Sequence, residues 1–162
     1  MRFDITVNIR AARDDVWQFL TDTQAISGCV AGLESVTVVE PARRFLATLA
    51  LPIGQSYLTC TAELEWLHQM APSEATLQVR VAVGQVATPL PVAHQLLAHN
   101  ALRLVNGIPG FTQVQWRMDV DLLGGYAGMP PQFIHPLIQK QSQAFFTCLK
   151  YRIENQTPVR AN

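Results

Sequence analysis

A period of two in the apolar residues runs through most of this chain, and it leaves little choice of architecture. Residues 2–10 place Phe3, Ile5, Val7 and Ile9 on one side and Arg2, Asp4, Thr6, Asn8 and Arg10 on the other, the pattern of a strand with one buried face. Further strands are expected at 34–39, at 43–51 (Phe45, Ala47, Leu49, Leu51), at 55–68 (Leu58, Cys60, Ala62, Leu64, Trp66) and at 74–84 (Ala75, Leu77, Val79, Val81, Val83). The alternation is clearest at the end, where Val114, Trp116, Met118, Val120 and Leu122 interleave with Gln113, Gln115, Arg117, Asp119 and Asp121. Glu40-Pro41, Pro52-Ile53-Gly54, Ala71-Pro72-Ser73 and Gly107-Ile108-Pro109-Gly110 supply the turns. Strands this close in sequence pair antiparallel, because a parallel pair needs a long crossover.

Two stretches interrupt the rhythm. At 85–99, QVATPLPVAHQLLAH, Pro89 and Pro91 cannot both serve a central strand; the expectation is a loop with one helical turn near 92–98, and a strand only from 101 to 106. At 12–22, ARDDVWQFLTD puts Asp14 and Asp15 in a first helical turn, ahead of Val16, Trp17, Phe19 and Leu20. A second short helix is expected over 23–27 with Asp22 as its N-cap, before Gly28 and Gly32.

A sheet of this kind needs a cover. Residues 136–153, PLIQKQSQAFFTCLKYRI, with Ile134 just before them, carry Ile134, Leu137, Ile138, Gln141, Phe145, Cys148 and Leu149 on one helical face. Pro136 fits either the first turn of that helix or a kink in a longer one that starts near Pro131.

Bulk properties exclude several functions. Twelve basic residues balance twelve acidic ones with no charged run, so the footprint for nucleic acid or an anionic membrane surface is absent. The chain opens on MRFDITVNIR, without an apolar leader or a spanning run, and the expectation is a cytoplasmic protein with no integral membrane segment. At 162 residues one domain is the default, taken as 1–157 with a short polar tail at 158–162. A charged fraction of 15% against 49% hydrophobic suits an apolar cavity, and equally a homodimer interface. Cys29, Cys60 and Cys148 are odd in number and widely spaced, which suggests neither a disulfide framework nor a zinc cluster; they are expected to be reduced.

The order of elements, with three local motifs, resembles the START and polyketide-cyclase (SRPBCC) superfamily. Val16, Trp17, Leu20 and Asp22 match its first-helix pattern. CVAGLESV at 29–36 is similar to the Cys-Ile-Pro-Gly segment of the CoxG-like branch, named for a component of carbon monoxide dehydrogenase, with Ala31 where that branch usually has Pro. DLLGGYAGM at 121–129 and QSQAFFTCL at 141–149 resemble that branch's glycine-rich turn and last helix. The resemblance implies an α+β helix-grip fold: a seven-stranded curved antiparallel sheet wrapped around a long C-terminal helix, with two short helices after the first strand. It also implies a cavity between sheet and helix for a small hydrophobic ligand such as a lipid, sterol, quinone or polyketide.

By parity or helical phase, Phe45, Leu49, Leu64, Trp66, Trp116, Met118, His135, Ile138, Gln141 and Phe145 are the expected ligand-binding residues, each with plain packing as the alternative. Gln141 stands out as an amide on an apolar stripe, where it needs partners for its oxygen and its NH₂. His68, His94, His99 and His135 form no ligand set, and no metal or cofactor is expected. No nucleophile elbow is present, the cysteines lack an activating neighbour, and Glu63 and Glu65 read as solvated charges, so no catalytic residue is assigned. Transfer, presentation or sensing of an apolar ligand is the leading expectation. A cyclase or aromatase enzyme and an accessory protein for a molybdenum-dependent redox enzyme are the rivals.

Overall fold

A computed structural model of the chain describes residues 1–53, 55–84, 95–127 and 130–160. Strand β1 (Arg2–Ile9) is followed by helices α1 (Arg13–Thr21) and α2 (Thr23–Ser27). Six strands come next: β2 (Leu33–Glu40), β3 (Arg44–Ile53), β4 (Ser56–Met70), β5 (Glu74–Val83), β6 (Leu96–Asn106) and β7 (Thr112–Leu122). A short 3₁₀ turn at Gly124–Tyr126 leads to helix α3 (Pro131–Arg160). The strands form one curved antiparallel sheet in the order β1-β7-β6-β5-β4-β3-β2, and β1 closes back onto β7 with Ile5 opposite Trp116.

The sheet's inner face follows the period of two. Phe45, Ala47, Cys60, Ala62, Trp66, Ala75 and Leu77 are all buried on it. Helix α1 fills one end: Val16, Trp17, Phe19 and Leu20 pack with Ile9, Leu104, Val114, Phe146, Leu149 and Ile153 into the main core. Asp22 caps α2 as expected, its Oδ1 accepting from the N–H groups of Gln24 and Ala25 at 3.0 and 3.3 Å. A second, smaller cluster of Phe3, Ala98 and Val120 receives Met118 and Ile138.

Four local expectations are corrected. Strand β6 starts at Leu96, so Leu96 to Ala98 are strand and not a helical turn; the rest of that stretch up to His94 lies outside the described residues. Inward Leu96, Ala98, Asn100, Leu102 and Leu104 alternate with outward residues there, but a polar Asn100 inside and an apolar Leu97 outside hide the period in the sequence.

Helix α3 starts at Pro131 and not at 136, which leaves Pro136 in its interior as the longer-helix alternative had it, and it runs on to Arg160. Its buried stripe is Ser142, Phe146, Leu149 and Ile153, while Gln141, Phe145 and Cys148 are only partly covered; a shift of one residue turns a helix face by about 100°.

The fourth correction concerns the cysteines. Cys29 and Cys148 form a disulfide with Cα atoms 5.4 Å apart, leaving Cys60 as the free, buried cysteine. The two are 119 residues apart, and only the docking of the α2–β2 connection under α3 brings them together. Among the described residues no helix is long and apolar enough to cross a membrane.

Candidate functional site

Helix α1 fills only one end of the concave face, and towards the other end the sheet and α3 separate. The space left over the concave face is a cavity in two lobes of about 310 and 190 Å³ that share Leu49, Val79 and Val81 as walls, and α3 covers the larger. In the larger lobe, Leu51, Leu58, Leu96, Val120 and Leu122 rise from the sheet to face Ile134, Leu137 and Ile138 of α3. The smaller lobe lies over β3 to β5, beneath Ile26 and Val30 of the α2 region.

The chemistry of these walls is uniform. Among the described residues, neither lobe is lined by a carboxylate, imidazole, ammonium or guanidinium group. The polar side chains in the larger lobe are Asn100, Gln141, Ser142 and Tyr126, and three of them are held by bonds within the protein. Gln141 Nε2 donates to the Ala31 carbonyl at 2.6 Å. Asn100 Oδ1 accepts from Trp116 Nε1 at 2.8 Å, and its Nδ2 donates to Leu77 O at 3.3 Å. The Tyr126 oxygen accepts from the Val83 N–H at 2.7 Å, which leaves its own O–H as a donor. Burial pushes the Cys60 thiol up, which holds it in the protonated, unreactive form.

Seven of the ten expected residues meet at the cavity. Leu49 lines both lobes; Phe45, Leu64 and Trp66 line the smaller, and Met118, Ile138 and Gln141 the larger. The other three line neither lobe. Trp116, Phe145 and Phe146 form a cluster of edge-to-face rings with centroids 5.2 to 6.2 Å apart, so Trp116 and Phe145 serve packing. His135 stacks on Phe3 of β1 at 4.7 Å. Sequence reasoning missed Asn100, Ser142 and Tyr126. Neither Asn100 nor Tyr126 had a local signal, since Asn100 falls just before the strand expected at 101–106 and Tyr126 lies in a glycine-rich turn.

Two other hollows lie on the outer face of the sheet. One, of about 580 Å³, is bordered by Asp4, Arg117, Glu74 and Arg103, and the other by Arg44, Glu63, Glu65 and Arg80. Their charges are matched across strands: Arg117 to Asp4 at 2.7 Å, Arg103 to Glu74 at 3.9 Å and Arg44 to Glu65 at 3.9 Å. Exposed pairs of this kind hold little energy and mark a solvated surface. Glu63 and Glu65 therefore belong to the outer face and not to the cavity.

A long helix gripped by a curved antiparallel sheet over an apolar cavity defines the START-type helix-grip class. Solved structures share it over nearly their whole length. A conserved protein from Geobacillus kaustophilus is 17% identical with a TM-score of 0.81, covering 96% of this chain and 97% of its own. A START superfamily protein from Mycobacterium smegmatis is 13% identical with a TM-score of 0.67, covering 96% and 99%. The Zhui aromatase/cyclase from a Streptomyces species is 16% identical with a TM-score of 0.66, covering 96% and 94%. Within this class the chain belongs to the carbon monoxide dehydrogenase CoxG family, whose model matches residues 6–154. No curated protein matches the sequence.

Proposed function

We propose that this protein binds a small, uncharged hydrophobic or amphipathic molecule between its sheet and α3, for transfer, presentation or sensing. The observation that carries this reading is the cavity wall, apolar over almost all its surface and, among the described residues, free of charged side chains. A ligand that gives up ~300 Å² of apolar surface there gains roughly 7 kcal/mol before the costs of association. A few neutral donors and acceptors suffice to orient it. The same wall argues against a cyclase, since the described residues place no carboxylate or imidazole where a reacting chain would lie.

Native mass spectrometry of freshly purified protein, set against the denatured chain, tests this directly. The expected result is a bound apolar molecule, or uptake from a panel of neutral lipids and quinones. Val79→Trp, which fills the shared wall, should reduce uptake at least about tenfold, the equivalent of some 1.4 kcal/mol, with the circular dichroism unchanged. No bound molecule and no uptake from any member of the panel would sink the reading.

Membership of the CoxG family supports a second reading, in which the protein assists a larger molybdenum-dependent redox enzyme. Copurification with such an enzyme at native expression levels is its test. The two readings are compatible, because an accessory protein can carry a ligand.

A further inference from the structure

The segment 28–32, between α2 and β2, forms part of the cavity wall on the side away from β1. Its Val30 lines the smaller lobe, as does Leu33 just beyond it. On one side it is stitched to the sheet, the Ala50 N–H donating to Gly32 O at 2.8 Å. Gly32 sits at φ +80, and a Cβ there would collide with the Ala50 carbonyl, so this close approach requires glycine. On the other side three residues of α3, spread over about three turns, reach it. Gln141 bonds the Ala31 carbonyl, Arg152 fills the space beside Gly28 where a Cβ would stand, and Cys148 is joined to Cys29.

Of these ties only the disulfide is covalent, and it connects a wall of the cavity to its roof. We propose that the Cys29–Cys148 pair is a redox latch on the cavity: oxidised, it fixes segment 28–32 to α3 and slows ligand exchange; reduced, it lets the segment move and exchange becomes fast. This rests on the ligand-binding reading above. The reductant is a dithiol. Cys29 is buried and Cys148 only partly so, so a thiolate attacks Cys148 Sγ, the Cys29–Cys148 bond breaks and Cys29 leaves as the thiolate. The reductant's second thiol then displaces Cys148 from the mixed disulfide. Two protein thiols and one new disulfide in the reductant result, with two electrons and two protons transferred. In a reducing compartment, disulfides that form at all are mostly transient or sensing ones, which suits a latch.

The test compares the full chain in both states. Alkylation under denaturing, non-reducing conditions should label Cys60 alone in the oxidised protein and three cysteines after dithiothreitol, as the chain contains three. Backbone amide exchange of 28–33 should rise on reduction while that of β6 and β7 stays constant. Release of phenylnaphthylamine, a neutral apolar fluorophore, into phosphatidylcholine vesicles should become at least about tenfold faster, a barrier change of some 1.4 kcal/mol. The Cys29→Ser, Cys148→Ser double variant should match the reduced protein and ignore dithiothreitol. Equal amide exchange and equal release in the two states, or three labelled cysteines in protein treated with a mild oxidant, would overturn the latch. Failure of both states to take up the fluorophore or any lipid would instead overturn the cavity reading, and the amide exchange separates the two cases.

Discussion

Asn100 shows how one side chain can both support the fold and colour the cavity. Buried in β6, it holds the Trp116 indole N–H at 2.8 Å while facing the larger lobe. Asn100→Leu removes that acceptor and strands the indole donor, so unfolding in urea should show a loss of about 1–3 kcal/mol. Gln141 is recognisable from helical phase alone, as an amide on an apolar stripe, yet its Nε2 is engaged with Ala31. Gln141→Leu should therefore loosen segment 28–32, visible as faster amide exchange at Ala31 and Gly32, at a cost of about 1 kcal/mol. No local pattern could have revealed that partner, because Ala31 lies 110 residues away.

At the level of elements, the end of α3 is anchored to β1 by charge. Glu154 Oε2 accepts from the Arg10 N–H at 2.9 Å and from Lys150 Nζ at 2.7 Å, and Lys150 also donates to Asn8 O at 2.6 Å. Burial works to raise the Glu154 carboxyl, but the Lys150 and Arg10 hydrogen bonds outweigh it and hold the group below its usual range. A carboxyl lowered on folding stabilises above its unfolded pKa of about 4.3 and loses that contribution as pH falls through the folded value. Glu154→Gln should thus lower stability at pH 7 by about 1–2 kcal/mol and by much less near pH 3, measured as denaturation midpoints across that range. The Asp22 cap of α2 is legible because capping is local, and Asp22→Ala should cost about 1 kcal/mol. Strand β6 is half legible, since an inward amide and an outward leucine break the alternation that marks a strand.

Across the molecule, the disulfide closes a loop whose ends are 119 residues apart. In the chain-entropy account a closure of that length stabilises by nearly 5 kcal/mol. Reduction should lower the urea midpoint accordingly, and a shift equivalent to less than about 1 kcal/mol would show that the reduced chain keeps the same constraint by other means. The cavity itself also belongs to this scale. Phe45, Trp66 and Leu77 share strand parity and a packed cluster with Ala75, yet these three also border the smaller lobe, because α1 fills one end of the concave face and leaves the other open.

Periods of 2.0 and 3.6 residues are properties of the backbone, so the order of apolar and polar residues was enough to set the antiparallel strands, the two short helices, the long helix and the inward face of most strands. Family resemblance in short motifs pointed to the same fold. Three matters waited on packing: the one-residue phase of α3's buried stripe, the pairing of Cys29 with Cys148, and the division of the apolar interior into core and cavity. Each depends on how far apart two packed elements sit, and that distance is the sum of many side-chain volumes, which no single stretch of the chain contains.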